Sequence, residues 1–135
     1  MNSRRFCPTV CLFAVAVTGC ASIEGVYQPD CAAFEGDVVT LKSGEFVWER
    51  FTDAVEIDAD GKRIDPFPDY PIQGRYSRDG DRLELVTNDG HTLEPMFTYG
   101  GRAAPGYLLT AEQYRTLIDG GQHDRCVLVR QNPQN

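Results

Sequence analysis

Between Glu24 and Arg130 lie short runs in which apolar and polar side chains alternate with a period of about two residues, the period at which a strand turns successive side chains to opposite faces. The alternation is plainest in Arg82-Leu83-Glu84-Leu85 and in Phe46 and Trp48 set against Glu45 and Glu49. Each such strand buries one face and wets the other, as antiparallel sheets do. Runs rich in β-branched and aromatic residues cover 24–28, 37–41, 45–57, 72–77, 82–87, 91–99, 106–109 and 125–130, which predicts seven to eight strands. Lys42-Ser43-Gly44, Asp58-Ala59-Asp60-Gly61, Ser77-Arg78-Asp79-Gly80, Asn88-Asp89-Gly90 and Gly100-Gly101 separate the runs. Their Asp-Gly and Gly-Gly pairs supply the positive φ that tight hairpins need. The aromatics Phe46, Trp48, Tyr76, Phe97 and Tyr99 fall on these strands, as core or as the lining of a ligand-holding interior. One helix is predicted over 111–119, with Thr110 as N-cap, Gly120-Gly121 beyond its end and Tyr114, Leu117 and Ile118 as its apolar stripe. It is expected to cover one open end of the sheet. The fold class is mainly β: a small antiparallel meander barrel or sandwich of seven to eight strands with one short C-terminal helix.

Residues 1–20 follow a different pattern. Arg4 and Arg5 precede an uninterrupted apolar run over 6–17, long enough for a signal-peptide core and too short to span a bilayer as a helix. The run ends in Val17-Thr18-Gly19-Cys20, which at all four positions resembles the lipobox of bacterial lipoproteins: aliphatic, small, Gly or Ala, then Cys. That resemblance implies a diacylglyceryl group on the Cys20 sulfur, cleavage just before Cys20 and acylation of the new amino group. Ser3-Arg4-Arg5-Phe6 also partly matches a twin-arginine signal, with the phenylalanine one place early. Ala21 and Ser22 follow Cys20 where an aspartate would retain a lipoprotein in the inner membrane, so the sorting rule of the family points to the periplasmic face of the outer membrane. Two or three acyl chains, at about 0.8 kcal/mol per buried methylene, exceed what stable anchoring requires. The expected organisation is a cleaved signal peptide over 1–19, a lipidated N-terminus and short tether over 20–24, a single β-rich domain over 25–130 and a polar tail over 131–135.

Charge narrows the choice of partners. The 135 residues carry 13 basic and 20 acidic side chains, net −7, which excludes a surface built to neutralise nucleic-acid phosphates and disfavours an unaided electrostatic grip on anionic lipid. Removal of residues 1–19 takes Arg4 and Arg5 with it and leaves a net charge of −9. Five cysteines then divide: Cys7 and Cys11 leave with the signal, Cys20 carries lipid, and Cys31 and Cys126 remain. In an oxidising envelope such a pair reads as a disulfide closing a loop of about 95 residues. The competing reading is a Cys2His2 metal site from Cys31, His91, His123 and Cys126, which no Cys-x-x-Cys anchors. No metal and no cofactor beyond the acyl groups is expected.

Catalytic constellations are missing from the sequence. Ser22, Ser43 and Ser77 lie outside any Gly-x-Ser-x-Gly elbow, His91 and His123 adjoin turns, and Glu84 and Glu94 are strand glutamates. Asp58-Ala59-Asp60-Gly61 fits the start of a calcium loop, but Phe67 stands where the bidentate glutamate belongs. Gly100-Gly101-Arg102 precedes no helix that could seat a phosphate. The sequence therefore reads as a non-enzyme, with an envelope hydrolase as the alternative class. Asp65-Pro66-Phe67-Pro68-Asp69-Tyr70-Pro71 cannot be a central strand, because three prolines lack ladder donors. Asp65, Phe67, Asp69 and Tyr70 are the candidate partner-binding residues, as exposed aromatic anchors in an acidic loop. The strand series, the Gly25-Val26-Tyr27 opening and the final helix-then-strand resemble small lipocalin-like or related meander-barrel lipoproteins of bacterial envelopes, a resemblance that carries no catalytic residue across. The expected function is a lipid-anchored lipoprotein that binds a protein partner or a small apolar ligand in a structural, assembly or carrier role. The alternative is an inhibitor or immunity lipoprotein that blocks a toxin or envelope hydrolase.

Overall fold

A computed structural model describes residues 22–32, 35–100, 106–121 and 126–132. Ten strands and one helix follow in the order β1 (Gly25–Pro29), β2 (Glu35–Lys42), β3 (Glu45–Thr52), β4 (Glu56–Ile57), β5 (Arg63–Ile64), β6 (Ile72–Asp79), β7 (Arg82–Thr87), β8 (Met96–Tyr99), β9 (Tyr107–Leu109), α1 (Ala111–Ile118) and β10 (Leu128–Arg130). Eight of the strands close an antiparallel barrel in the order β1-β10-β9-β8-β7-β6-β3-β2, and β4 and β5 form a separate two-stranded hairpin. The chain is thus a barrel rather than a sandwich.

Three predicted strands are shorter than their apolar patterns; one is 125–130, where the strand begins only at Leu128, after Cys126 at φ +67°. The 45–57 run breaks after Thr52, because β6 pairs with β3 only as far as Trp48↔Ile72, and the chain leaves the wall there to make the β4–β5 hairpin. The 91–99 run becomes a strand only at Met96; Pro95 has no N–H to give the ladder, and upstream a single Val86↔Thr92 bridge holds the segment to β7.

Period-two alternation fills the interior. Tyr27, Val39, Leu41, Phe46, Leu83, Leu85, Met96, Leu108 and Leu128 form one buried cluster, with Ile23, Trp48, Ile72, Tyr76 and Leu93 packed against it. Gly74 lies between β3 and β7 where a Cβ would fall on the Val86 carbonyl oxygen and sit 2.8 Å from the Phe46 ring, so only glycine lets these strands meet around that ring. The core is closed by side chains, and each fully buried Leu or Phe adds about 1.5–3 kcal/mol of stability.

Phe97 and Tyr99 are outside this core, a correction to the sequence reading. Met96 and Thr98 are buried, so Phe97 and Tyr99 face outward on the same strand. The outward face is covered by α1, whose Tyr114 stacks on Phe97 at 4.7 Å between centroids. Leu109 pairs opposite Phe97 and is 0% exposed although it too points outward. The helix therefore seals the outer wall of β8 and β9 instead of capping an open end. It begins in a capping box: Thr110 Oγ1 accepts from the Gln113 N–H at 3.2 Å, and Gln113 Oε1 accepts from the Thr110 N–H at 3.0 Å. It ends at Ile118, with Asp119 as C-cap and Gly120 at φ +83°, and Ile118 is exposed instead of packed.

Candidate functional site

Strand register defines the two barrel ends. Gly25↔Leu41 and Tyr99↔Tyr107 put the start of β1, the Ser43-Gly44 turn, the β6–β7 turn and the start of β9 at one end, here the N-terminal end. The ends of β1 and β3, the 53–71 crossover and the start of β10 lie at the other.

Cys31 and Cys126 are joined at the far end by a disulfide with a Cα–Cα distance of 4.9 Å, closing a sequence separation of 95. Both thiols are consumed by that bond, which removes them as metal ligands. Of the other two residues of the Cys2His2 reading, His91 is exposed in a turn with Asp89 3.6 Å away, and His123 lies outside the described residues, as does Cys20. Asp58 and Asp60 belong to the β4–β5 turn: Asp58 Oδ1 accepts from the Asp60 and Lys62 N–H groups at 2.9 and 2.8 Å, and Gly61 takes φ +80°. A turn network occupies that carboxylate oxygen.

The four candidate loop residues lie in one segment but do not form a protruding aromatic arm. Asp65 Oδ1 accepts from the Phe67 N–H at 2.9 Å, and the Tyr70 N–H donates to the Phe67 carbonyl at 3.1 Å, folding the loop on itself ahead of a cis Tyr70–Pro71 bond. Phe67 and Tyr70 meet edge to face at 6.4 Å. Both rings lie half-buried over the guanidinium of Arg50, at 5.7 and 4.7 Å from its carbon. Arg50 in turn donates through Nε to Asp37 at 2.7 Å, and that carboxylate holds the guanidinium above its ordinary pKa against the opposing effect of burial. Asp65 and Asp69 remain exposed.

The side chains exposed here were not among the candidates. Val55 is 59% and Ile57 61% exposed, with Ile64 and Phe51 also open, and a groove of about 390 Å³ runs between Phe51, Ile64 and Phe67. A sequence signal existed, since Val55 and Ile57 stand between charged residues beside an Asp-rich turn, but alternation assigns them to a buried face. Also at this end, Trp48, Met96, Leu108 and Leu128 line a cavity of about 240 Å³ with Glu35 and Asp37 at its edge. Among the described residues the buried Trp48 Nε1 has no hydrogen-bond partner.

At the N-terminal end, inward-facing Arg78 and Arg130 stand beside buried Tyr27 and Thr98 around a cavity of about 470 Å³. Tyr27 Oη donates to the Ile23 carbonyl at 2.6 Å, and Arg130 Nη1 donates to the Ser22 carbonyl at 2.6 Å. Burial pushes the Tyr27 phenol above its ordinary pKa, and Arg130 and Arg78 pull it partly back. Among the described residues no helix is long and apolar enough to cross a membrane, and no group of three metal-binding side chains converges. No protein-family model, curated protein or solved structure matches the chain.

Proposed function

We propose that this chain is a lipid-anchored envelope lipoprotein, acylated at Cys20 and held at the periplasmic face of the outer membrane, whose disulfide-clipped barrel binds a protein partner and performs no catalysis. The separation of the two barrel ends supports this reading. The chain that leads back to Cys20 joins the barrel at its N-terminal end, while Val55, Ile57 and Ile64 are exposed at the far end. An anchor on one side and an apolar cluster on the other suit a protein that presents a contact surface away from its membrane. The cavity among the core side chains, about 240 Å³, is smaller than a ligand pocket, and the larger one carries two arginines, which favours a protein partner over a small apolar cargo. Glu56, Asp58, Asp60 and Asp65 outnumber Lys62 and Arg63 along the hairpin that carries the exposed apolar side chains, which favours, as a second reading, an inhibitor that plugs a basic cleft in a toxin or envelope hydrolase.

Palmitate labelling in cells tests the anchor: label is expected in the native chain and absent from Cys20→Ser, and label retained by that variant overturns it. A photo-crosslinking amino acid placed at Ile57 or Ile64, with Glu112 on α1 as the control position, tests the contact surface. A discrete crosslinked product is expected from the first two positions only; equal products from all three would remove the hairpin from the interface.

A further inference from the structure

The cavity at the N-terminal end reverses the sign of the molecule. In a chain of net charge −7, its wall carries Arg78 and Arg130 against one acidic side chain, Asp81, among the described lining residues. The Asp81 carboxylate is turned to α1, where Oδ2 accepts from the Tyr114 hydroxyl at 2.9 Å. Among the described residues no carboxylate lies within ion-pair distance of Arg130. Arg130 is nonetheless held in place. Its stem crosses Gly25, where a Cβ would sit 2.9 Å from Cδ, and its guanidinium passes over Gly106. Arg78 faces the same space from β6, on the side of the strand that carries Gly74 and Tyr76, and its Nε donates to the Gly80 carbonyl at 2.9 Å. Tyr99, exposed, and Tyr107, half-buried, complete the rim.

We propose that this mouth is a phospholipid-headgroup face, with the phosphate of a bilayer lipid between Arg78 and Arg130 and the Tyr99 and Tyr107 rings at the polar–apolar boundary. The inference rests on the lipoprotein reading and adds the surface that the anchored barrel turns to the membrane. One residue, Ala21, separates Ser22 from Cys20, so an acyl-bearing Cys20 stays within about 7 Å of Ser22 between Cα atoms. The Ser22 and Ile23 carbonyls are themselves fastened to Arg130 and Tyr27 at the mouth of the cavity. Acyl chains entering the bilayer from there bring the mouth to headgroup depth. Guanidinium groups match phosphate oxygens in a two-pronged geometry, and tyrosine suits an interface with one wet and one apolar side. The overall acidic balance repels anionic lipid at long range, so the grip is confined to this mouth.

Amide hydrogen exchange on the full-length acylated protein in nanodiscs tests the proposal. One set of discs holds phosphatidylglycerol and phosphatidylethanolamine, and the other an uncharged diglucosyl diacylglycerol without phosphate. Phospholipid is expected to slow exchange of the 22–27, 98–100 and 106–108 amides by roughly tenfold relative to the glycolipid, the scale of one or two charge-assisted hydrogen bonds. Arg78→Gln is expected to abolish the difference and Arg78→Lys to keep part of it. Arg130→Lys, which preserves charge and stem, guards against a loss that reflects only the Ser22 contact. Equal protection in both discs overturns the proposal, as does equal protection in dodecylmaltoside on adding inorganic phosphate or sn-glycerol 3-phosphate, which would make a free phosphate compound the ligand. The mass of the N-terminal peptide separates the two readings. An unacylated Cys20 brings down the lipoprotein assignment and the bilayer placement with it, whereas an acylated chain without phosphate-dependent protection brings down the headgroup face alone.

Discussion

Arg50 joins three groups that are far apart in the chain: Asp37 on β2, and Phe67 and Tyr70 in the crossover. The Asp37 pair is partly exposed, and such pairs contribute about 0.2–1 kcal/mol; the ring contacts add about 0.5–1 kcal/mol. Arg50→Ala is expected to lower stability by about 1–2 kcal/mol in urea unfolding. A double-mutant cycle with Tyr70→Leu should show positive coupling, and strict additivity would mean that the ring merely lies nearby. Three tyrosines give the fold an alkaline limit. Burial raises the pKa of Tyr27 and Tyr76, and the hydrogen bond to Asp81 is the largest cause for Tyr114. A phenol whose folded pKa lies above its unfolded value of 10.0 adds stability that is complete below that pH and is lost as pH rises through the folded value, because the unfolded chain releases the proton first. Stability should hold through neutral pH and fall above about pH 10, and Tyr76→Phe should make that fall shallower.

Elements differ in how firmly they are fixed. No residue of α1 is buried, and Tyr114 is its main hold on the wall, so the Thr110–Gln113 capping box matters more than it would for a core helix. Thr110→Ala should cost about 1 kcal/mol locally. Faster amide exchange over 111–118 with little change at β2 and β3 would report it, whereas equal acceleration in both would make the helix part of the global unit. Helix and strands were largely legible in the sequence, for a physical reason: each barrel strand has one face in a core, and period two records that. The reading failed where burial did not set the pattern. Val55 and Ile57 are apolar yet exposed, so they extended a strand that ends at Thr52. Phe97 and Tyr99 alternate correctly, but alternation is blind to which face is inside, and only the docking of α1 explains an aromatic outer face. Thr110 was recognisable as a cap from its type, and Gln113 three residues on was the unread half of the signal. The loop residues Phe67 and Tyr70 were found as a pair, while Arg50, which holds them down, was hidden because nothing local in the sequence connects 50 to 67. The two-arginine mouth was illegible for the same reason: Arg78 and Arg130 meet through barrel closure, and neither belongs to a motif.

Closure of the whole molecule depends on a short joint between the two ends of the domain. β2 and β3 pair through eight residue pairs, but the seam that closes the barrel, β1 with β10, has only Tyr27↔Arg130, Gln28↔Val129 and Pro29↔Leu128. Those strands come from opposite ends of the domain, so their meeting carries the loop-closure entropy of nearly the whole chain, which a few hydrogen bonds offset poorly. The disulfide stands at the end of this seam. Past Pro29 the Asp30 N–H donates to the Val127 carbonyl at 3.1 Å, and Cys31 and Cys126 follow immediately. A bridge over a separation of 95 limits the unfolded chain beside a seam of three residue pairs. The double variant Cys31→Ser/Cys126→Ser is therefore expected to lose about 2–5 kcal/mol in urea unfolding. The location of the loss is the sharper expectation. Amides of β1 and β10 should exchange faster than those of the β2–β3 pair, because the seam opens before the sheet unravels. A variant that loses the same free energy with protection reduced evenly around the barrel would show that the disulfide constrains the unfolded chain without serving as the clasp of the seam.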